Sequence, residues 1–350
     1  ILEPIVGDNQ LIKKHKNLLM VDLYSPKERM ELSLYENQII HHFVQAGLVS
    51  LAFYKRERSW LQSNGKAERS RVCISVEDLS QDIKFLSSLL KYEFIYPPSR
   101  SLEKLIRNAL DFLVQLGVFE WAGEGQQSVS VCTSDTAQEM YLFYATLFWR
   151  FLDSYWLVCL GFYILLPNRV LCESLLINHM QTLGENLYFQ GQLDLFEAIA
   201  KETLLNAVSL FINWKVIEHL NIEGNSNAAD MSHVPGRRVL RLTQEYQNED
   251  ALENLVTQIG AFRKCLRAYR SRRYMVRHTN ETKDAIHLVK REIRRIRSPN
   301  STPPDSPIIA SKGSTTTTMV RFDAFSQLYF LFIYFFKSYN GHPTSQNRWK

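Results

Sequence analysis

Few residues of this sequence have types and spacings that could support catalysis. His287 and Glu292 form an H-x4-E spacing, in which a carboxylate could orient a histidine that removes a proton. The pair lies in a strongly basic segment without the strand and loop that would position a substrate, and we interpret the spacing as chance. The sequence contains no H-x4-D pair, nucleophile elbow, glycine-rich phosphate loop or metal-ligand spacing. It therefore predicts no catalytic, cofactor-binding or metal-binding residue.

The other histidines and the cysteines give no stronger indication of a site. His41 and His42 lie within a predicted helix, where a partly buried or solvated histidine is a simpler interpretation than a functional pair. The five cysteines are an odd set without a C-x-x-C spacing, which favours reduced thiols in a cytosol-facing compartment over a disulfide framework or a zinc site. These cysteines are Cys73, Cys132, Cys159, Cys172 and Cys265.

The positive charge is concentrated near the C-terminus. Residues 263–297 contain 13 Lys and Arg residues against three acidic residues, whereas the whole chain has a formal net charge of +5. A solvated charged helix, a contact with anionic phospholipid and a contact with nucleic acid are the alternative interpretations of this segment. Near an anionic leaflet each Lys or Arg contributes about 1 kcal/mol before screening. The cations that we expect to face such a membrane are Arg263, Lys264, Arg267, Arg270, Arg291 and Arg294.

The most apolar stretch, residues 141–166, has the length of a helix of about seven turns. It is apolar nearly all round, so other helices or lipid must cover it. Its charge-free part, residues 154–166, is shorter than the roughly 20 residues of a membrane span, and Arg150 with Asp153 would be costly inside a bilayer. We therefore favour a buried central helix over a membrane-inserted one, with Arg150 and Asp153 able to pair on one face.

The elements before this stretch are predicted from capping residues and from the spacing of apolar side chains. Two helices followed by a short hairpin are typical of a winged-helix unit, which need not bind DNA. In chain order, the predicted elements are a helix from the Ser25–Glu28 capping box to about Tyr54, a polar basic loop at 55–72, a helix from Ser75 with Asp78 at its third position, a helix at 102–116 between Ser101 and Gly117, and a hairpin of residues 118–121 and 129–132.

Helices also predominate after the central stretch. The segment ENLYFQG at 185–191 is identical to a protease cleavage site that is commonly engineered into recombinant proteins. A remnant of such engineering and a native segment remain as alternatives. The predicted elements are a helix at 170–183, a helix at 193–220, a strand at 239–242 and a helix at 252–262.

The fold class predicted from these elements is mostly α, with a small β-hairpin in a winged-helix-like unit. Because the chain begins at Ile1 and not with methionine, we expect it to be part of a longer protein. The predicted regions are a lead-in at 1–24, a helical domain at 25–262, a basic helical segment at 263–297, and a disordered Ser/Thr/Pro-rich tail with an apolar tip at 298–350.

Four stretches together resemble the C-terminal region of the glycerol-3-phosphate / dihydroxyacetone-phosphate acyltransferase family, over about residues 25–262. In the first stretch, residues 34–53, Tyr35 and His42 match the family's Tyr-x-x-Asn-x-x-x-His helix, with Asn37 nearby. In the third stretch, residues 148–164, Ser154 and Tyr155 match a family helix that reads R-x-F-x-E-S-Y. The four stretches are 34–53, 85–118, 148–164 and 197–217.

This resemblance implies a function for the parent protein. Full-length members transfer an acyl group from acyl-CoA or acyl carrier protein to the sn-1 hydroxyl of glycerol 3-phosphate, using an H-x4-D pair and a phosphate-binding arginine in a G-T-R-S-like block. This chain contains neither block. The resemblance therefore implies a non-catalytic C-terminal part that needs no cofactor, has acyl-CoA only as the substrate of the parent enzyme, and packs on its own catalytic domain and on a membrane surface.

The location implied is the cytosol-facing side of the mitochondrial outer membrane or the endoplasmic reticulum, with the peroxisome as a further option. The acyl acceptor could be glycerol 3-phosphate or dihydroxyacetone phosphate. The alternative function is a winged-helix-like nucleic-acid-binding module with residues 263–297 as its basic arm. A nucleic-acid partner is disfavoured, because a small DNA reader needs no apolar helix as large as residues 141–166.

Overall fold

Helices make up most of the structure, a computed structural model that describes residues 12–15, 18–21, 39–64, 72–95, 101–220, 238–263 and 281–297. The predicted mostly α fold class is confirmed, with small antiparallel sheets added to the helices. The helices are α1 (Val44–Asn64), α2 (Val76–Leu89), α3 (Leu102–Gln115), α4 (Asp135–Gly161), α5 (Glu173–Phe189), α6 (Lys201–Asn213), α7 (Glu249–Gly260) and α8 (Glu281–Arg297).

The strands are short and pair only in antiparallel fashion within the described residues. The strands β1 and β2 form a hairpin. Residues 29–302 form one compact unit, and this hairpin belongs to a second one. The other strands form two three-stranded sheets in the orders β3-β5-β4 and β6-β8-β7. The strands are β1 (Ile12–His15), β2 (Leu18–Val21), β3 (Ile74–Ser75), β4 (Phe119–Ala122), β5 (Ser128–Val131), β6 (Leu171–Cys172), β7 (Ile217–Leu220) and β8 (Val239–Leu242).

The same sequence of elements occurs twice. Module A (residues 44–131) and module B (residues 135–242) each contain a long helix, a short strand, two helices and a hairpin, whose last strand pairs with the first strand. The registers correspond, since Ile74 is opposite Val129 in one sheet and Leu171 is opposite Leu240 in the other. The sequence predicted one winged-helix-like unit, and the structure contains two.

The turn between the second short helix and the hairpin is also the same in both modules. Gly117 and Lys215 each have a positive φ, +69° and +58°, directly after α3 and α6. In both modules the backbone amide of the next residue donates a hydrogen bond to a carbonyl of the preceding helical turn. Val118 donates to the Leu113 carbonyl, and Val216 donates to the Phe211 carbonyl. A lysine in this left-handed conformation is unusual and gives no signal in the sequence. The second hairpin was therefore missed.

Helix α4 is the long first helix of module B and also packs on module A. It contacts α1, α5, α6, α7 and α8, and almost every side chain from Tyr141 to Leu165 is buried. The prediction of a buried central helix is confirmed, because protein side chains cover it on all sides. Each large apolar side chain buried in this way contributes about 1.5–3 kcal/mol. Among the described helices, none has both the length and the hydropathy needed to cross a membrane.

The close approach of α1 to α4 depends on a glycine. A Cβ atom at Gly47 would overlap the Phe148 ring, so only glycine lets the helices reach this distance. Phe53 lies further along α1 and meets the Tyr141 ring edge to face at 5.6 Å between centroids. Both contacts join the first helix of module A to the first helix of module B.

The predicted caps in module A are confirmed. Ser75 Oγ accepts a hydrogen bond from the Asp78 amide at 3.1 Å, and Ser101 Oγ accepts one from the Lys104 amide at 3.4 Å. Gly117 follows the end of α3 in the left-handed conformation, as predicted. The predicted hairpin after it is confirmed as β4 and β5. The predicted Ser25 cap lies outside the described residues.

Several predicted element boundaries are wrong. Residues 55–64 are the C-terminal part of α1 and not a loop, because Lys55 and Arg56 both pair with the buried Asp82 of α2, at 2.6 and 2.5 Å. The predicted helix at 193–220 is also too long at both ends, since a 3₁₀ turn covers Phe196–Ile199 and β7 covers Ile217–Leu220. Residues 217–220 are a strand and not a helix because they pair with β8.

The segment ENLYFQG is an integral part of module B. It forms the last turn of α5 and its C-terminal cap, with Leu187 only 1% exposed. Gly191 has a φ of +71°, and the Gln192 amide donates to the Leu187 carbonyl at 2.8 Å. These are the hydrogen bonds that satisfy the last carbonyls of a helix.

We expect the folded chain to resist the protease that recognises ENLYFQG. A protease must draw this segment out of the helix, so cleavage is limited by local opening, and we expect it to be slower than in the unfolded chain by roughly a hundredfold or more. The measurement is the cleavage rate between Gln190 and Gly191 with and without denaturant that the protease tolerates. A chain with the same seven residues appended after Lys350 is the control, and equal rates at both positions would contradict the prediction.

Candidate interaction surface and buried ionic junction

Helix α8 has one apolar face and one basic face. Ala285, Ile286, Val289 and Ile293 are buried, and α8 packs against α4, α5 and α7. This spacing places the apolar side chains on one side of a helix. The opposite side is exposed and forms what we name the basic stripe. Its members are Lys283, His287, Arg291 and Arg294.

The charge of the basic stripe is only partly balanced nearby. Asp284 is also exposed on this side of α8. Lys290, one turn away, pairs with Glu249 of α7, and Arg294 donates through Nε to the Lys290 carbonyl at 3.3 Å. The guanidinium groups of Arg291 and Arg294 are therefore near solvent on the same helical surface, in a geometry that suits an extended anionic partner.

The six cations predicted to face a membrane have different positions. Arg291 and Arg294 are exposed, and their contact with a membrane stays a prediction. Arg263 is a correction, because the residue is only 8% exposed and its side chain pairs with a buried carboxylate inside the protein. The remaining three predicted cations, Lys264, Arg267 and Arg270, lie outside the described residues.

Arg263 forms a buried ionic junction between α4 and the end of α7. Its Nε donates to Asp153 Oδ1, its Nη2 donates to the Gln192 carbonyl at 2.9 Å, and its guanidinium carbon lies 3.5 Å from the centroid of the Trp156 ring. The Arg263 carbonyl accepts a hydrogen bond from Arg58 of α1 at 3.0 Å. One residue thus connects module A, module B and the segment after module B.

The sequence placed Arg150 and Asp153 on one face of the central helix, and both are buried there. No local pattern in the sequence indicated the third member, since Arg263 lies 110 positions from Asp153. The guanidinium carbon of Arg150 lies 4.6 Å from the centroid of the Phe151 ring. Its positive charge also acts on a carboxyl group of module A, Glu93.

Two largely buried glutamates of module A accept hydrogen bonds from tyrosines of α4. Tyr141 Oη donates to Glu57 at 2.8 Å, and Tyr155 Oη donates to Glu93 at 3.0 Å. Burial raises the pKa of both carboxyl groups, that of Glu93 to about 7. The tyrosine hydrogen bonds oppose the shift in each case, and at Glu93 the side chain of Asn206 and the charge of Arg150 oppose it too. Sequence reasoning missed both residues.

We expect the free energy of unfolding to fall as the pH rises from about 5 to about 8. The pKa of Glu93 in the folded protein is about 7 against an ordinary value of 4.5, so the folded chain binds more protons than the unfolded chain between these values. The stability that neutral Glu93 provides is complete below about 4.5 and is lost as the pH passes about 7, a change of about 3 kcal/mol.

The measurement is denaturant unfolding at several pH values for the wild type and for Glu93→Gln, whose amide stays neutral throughout. Glu93→Gln should remove most of this part of the pH dependence. Glu103→Gln on the exposed side of α3 is the matched control and should leave it unchanged. Parallel pH profiles for the wild type and Glu93→Gln would contradict the assignment.

No metal centre is formed by the described residues. His41 and His42 contact each other, with ring centroids 4.0 Å apart, and both are exposed. His287 is exposed in the basic stripe. Cys73, Cys132, Cys159 and Cys172 are not joined in disulfides. That the histidines and cysteines form no catalytic centre stays a prediction.

The outward surface of α3, which would be the recognition helix of a DNA-binding module, is balanced in charge. It contains two acidic residues, Glu103 and Asp111, and two cations, Lys104 and Arg107. Arg107 also turns towards its own module, since its guanidinium carbon lies 4.3 Å from the centroid of the Trp121 ring. Phosphate backbones require an excess of cations, and this helix does not present one.

A comparison with known protein families identifies the family of this chain. Residues 2–219 match the family described as the glycerol-3-phosphate acyltransferase C-terminal region. This chain belongs to that family. The predicted resemblance is therefore confirmed, and the chain is related to glycerol-3-phosphate acyltransferases. A search among curated proteins gave no significant match.

The family match includes module A and most of module B. It ends at residue 219, inside β7 and before β8. β8 is the middle strand of the second sheet, between β6 and β7. The family region of this chain is therefore structurally incomplete without residues beyond the match.

Proposed function

We propose that this chain is the non-catalytic C-terminal part of a glycerol-3-phosphate 1-O-acyltransferase. Such an enzyme would transfer the acyl group of acyl-CoA to the sn-1 hydroxyl of glycerol 3-phosphate, forming an ester and releasing the CoA thiol. The family match over residues 2–219 is the observation that supports this proposal. The sequence contains no H-x4-D pair that could act as the general base, so the chemistry is assigned to a separate catalytic domain.

The transcript upstream of the Ile1 codon provides the first test. An in-frame H-x4-D block with a G-T-R-S-like block after it would support a C-terminal part of an acyltransferase. A start codon without either block would contradict it. The purified chain alone, incubated with acyl-CoA and glycerol 3-phosphate, should release no CoA thiol above the rate without protein.

We further propose that the basic stripe contacts anionic lipid on a cytosol-facing membrane, that of mitochondria or the endoplasmic reticulum. Its exposed cations on a helix that is anchored by four buried apolar side chains support this assignment. The contact would add to packing on the catalytic domain and would orient that domain towards lipid substrates. Because the interaction is electrostatic, it should weaken as the ionic strength rises.

Sedimentation with phospholipid vesicles tests the lipid contact. Removing two cations with Arg291→Gln and Arg294→Gln should weaken binding to vesicles of mixed phosphatidylserine and phosphatidylcholine by about 2 kcal/mol, roughly thirtyfold, at low salt. Lys104→Gln with Lys201→Gln is the matched control, since both lysines are exposed on helices of the two modules. Equal losses for both pairs, or equal binding to pure phosphatidylcholine, would contradict the assignment.

A further inference from the structure

Helix α8 has the composition of a helix that lies in a membrane interface. Residues 281–297 contain six Lys and Arg residues against three acidic residues. The side chains of Ala285, Ile286, Val289 and Ile293 form one apolar face. Interfacial helices bury such a face at the boundary between lipid headgroups and acyl chains, and keep their cations at the level of the headgroups.

In the folded chain the two faces of α8 point in opposite directions. The apolar face is covered by α4, α5 and α7, and the basic stripe is exposed. A membrane that meets the basic stripe is therefore attracted by charge alone. A released α8 would bury its apolar face in lipid and would keep its cations near anionic headgroups at the same time. The released helix thus gains a favourable contribution that the docked helix lacks.

The contacts that hold α8 include polar groups that water can solvate. Lys290 pairs with Glu249 of α7, and these side chains are 35% and 58% exposed. Lys290 Nζ also lies 5.7 Å from the centroid of the Tyr163 ring, in the turn after α4 on which α8 packs. Tyr163 Oη is buried and has no hydrogen-bond partner among the described residues. Because a buried hydroxyl without a partner is unfavourable, hydration of Tyr163 and Glu249 offsets part of the cost of releasing α8.

The two modules do not have to open when α8 leaves. Both three-stranded sheets are complete at β8. The end of α7 is already fixed by Arg263, which binds Asp153 of α4 and accepts a hydrogen bond from Arg58 of α1. Helix α8 begins only at Glu281, and it lies outside the residues that match the family. It can therefore be released as a separate element.

We propose that α8 is a reversible membrane anchor. On an anionic membrane it leaves α4, α5 and α7 and inserts Ile286, Val289 and Ile293 at the boundary between headgroups and acyl chains. In solution the protein covers the same apolar face. This inference rests on the lipid contact proposed above, and adds to it a change in the position of the helix.

Methyl NMR of the full chain with bicelles tests the proposal. The bicelles contain phosphatidylserine and phosphatidylcholine, with a nitroxide near the end of an acyl chain. We expect the methyl signals of Ile286, Val289 and Ile293 to broaden, whereas those of Leu157 and Leu176, which are fully buried in module B, should not. Bound protein whose three α8 signals stay sharp would overturn the release of α8 and leave the contact of the basic stripe in place. A chain that does not bind the bicelles would contradict both proposals.

Variants shift the equilibrium between docked and released α8. Tyr163→Phe removes the hydroxyl that release would hydrate, so it should lower the ratio of released to docked helix roughly fivefold. Tyr144→Phe is the matched control, because it removes another buried hydroxyl without a partner, beside the start of α1. Glu249→Gln breaks the pair with Lys290 and should raise the ratio, whereas Glu103→Gln, the same change of charge on the exposed side of α3, should not. Equal effects of the two phenylalanine variants, or of the two glutamine variants, would overturn the proposal.

Discussion

Asp153→Ala is expected to lower the free energy of unfolding by about 3–5 kcal/mol, because it leaves Arg263 as an uncompensated buried charge. The carboxylate and the guanidinium are 6% and 10% exposed in their side chains, so water cannot replace the lost partner. Arg263 cannot move away easily either, since it also donates to the Gln192 carbonyl and lies against Trp156. The measurement is denaturant unfolding of the full chain.

The exposed pair of Arg241 with Glu218 is the control for this experiment. Its side chains are 45% and 43% exposed and its nitrogen–oxygen distance is 2.6 Å, yet Glu218→Ala should cost less than about 1 kcal/mol because water solvates the remaining charge. A double variant, Asp153→Ala with Arg263→Met, should be more stable than the sum of the single losses predicts. Equal losses for Asp153→Ala and Glu218→Ala would show that burial is not the cause.

A chain that ends at residue 219, where the family match ends, is expected to lose its cooperative unfolding transition. Such a chain lacks β8, which pairs with both β6 and β7, and it lacks α7, which packs on α4. The side chains removed contribute about 1.5–3 kcal/mol each, and their sum is comparable to the whole stability of a typical domain, about 5–15 kcal/mol. The removed side chains that are fully or almost fully buried are Leu240, Leu242, Leu252, Val256, Ile259 and Phe262.

A chain that ends at residue 297 is the matched control, because it keeps every described element. It should show one cooperative transition in denaturant and a dispersed NMR spectrum, whereas the chain ending at 219 should show broadened signals and a much smaller dependence of stability on denaturant. Indistinguishable unfolding curves for the two chains would mean that β8 and α7 are not part of the domain. The size of the expected loss makes this the simplest way to define the domain boundary.

The comparison of the two modules explains why this boundary is not visible in the sequence. Module A contains its hairpin within residues 119–131, so the turn between β4 and β5 is short. In module B the partners β7 and β8 are separated by residues 221–238. A short hairpin is predicted from its glycines and alternation, whereas a pairing across a longer segment depends on the rest of the sheet.

Local signals in the sequence determined the beginnings and ends of several helices and the location of the first hairpin. Ser75 and Ser101 cap their helices through atoms three residues away, and Gly117 ends α3 through its own backbone conformation. The burial of residues 141–165 also follows from the sequence, because so apolar a helix must be covered. Helix caps and the apolar character of a helix depend on residues close together in the chain, so they can be predicted from the sequence alone.

Only the tertiary structure decided the features that depend on distant partners. Residues 55–64 are helical because Lys55 and Arg56 reach Asp82 on another helix, and Ile217–Leu220 is a strand because β8 lies beside it. Arg263 resembled every other cation of the basic segment, yet it is buried because Asp153 and Trp156 offer it a partner charge and a ring. The stabilisation of a buried charge or of a strand depends on the group that it contacts in the folded protein. The spacing of residues in the sequence does not identify that group.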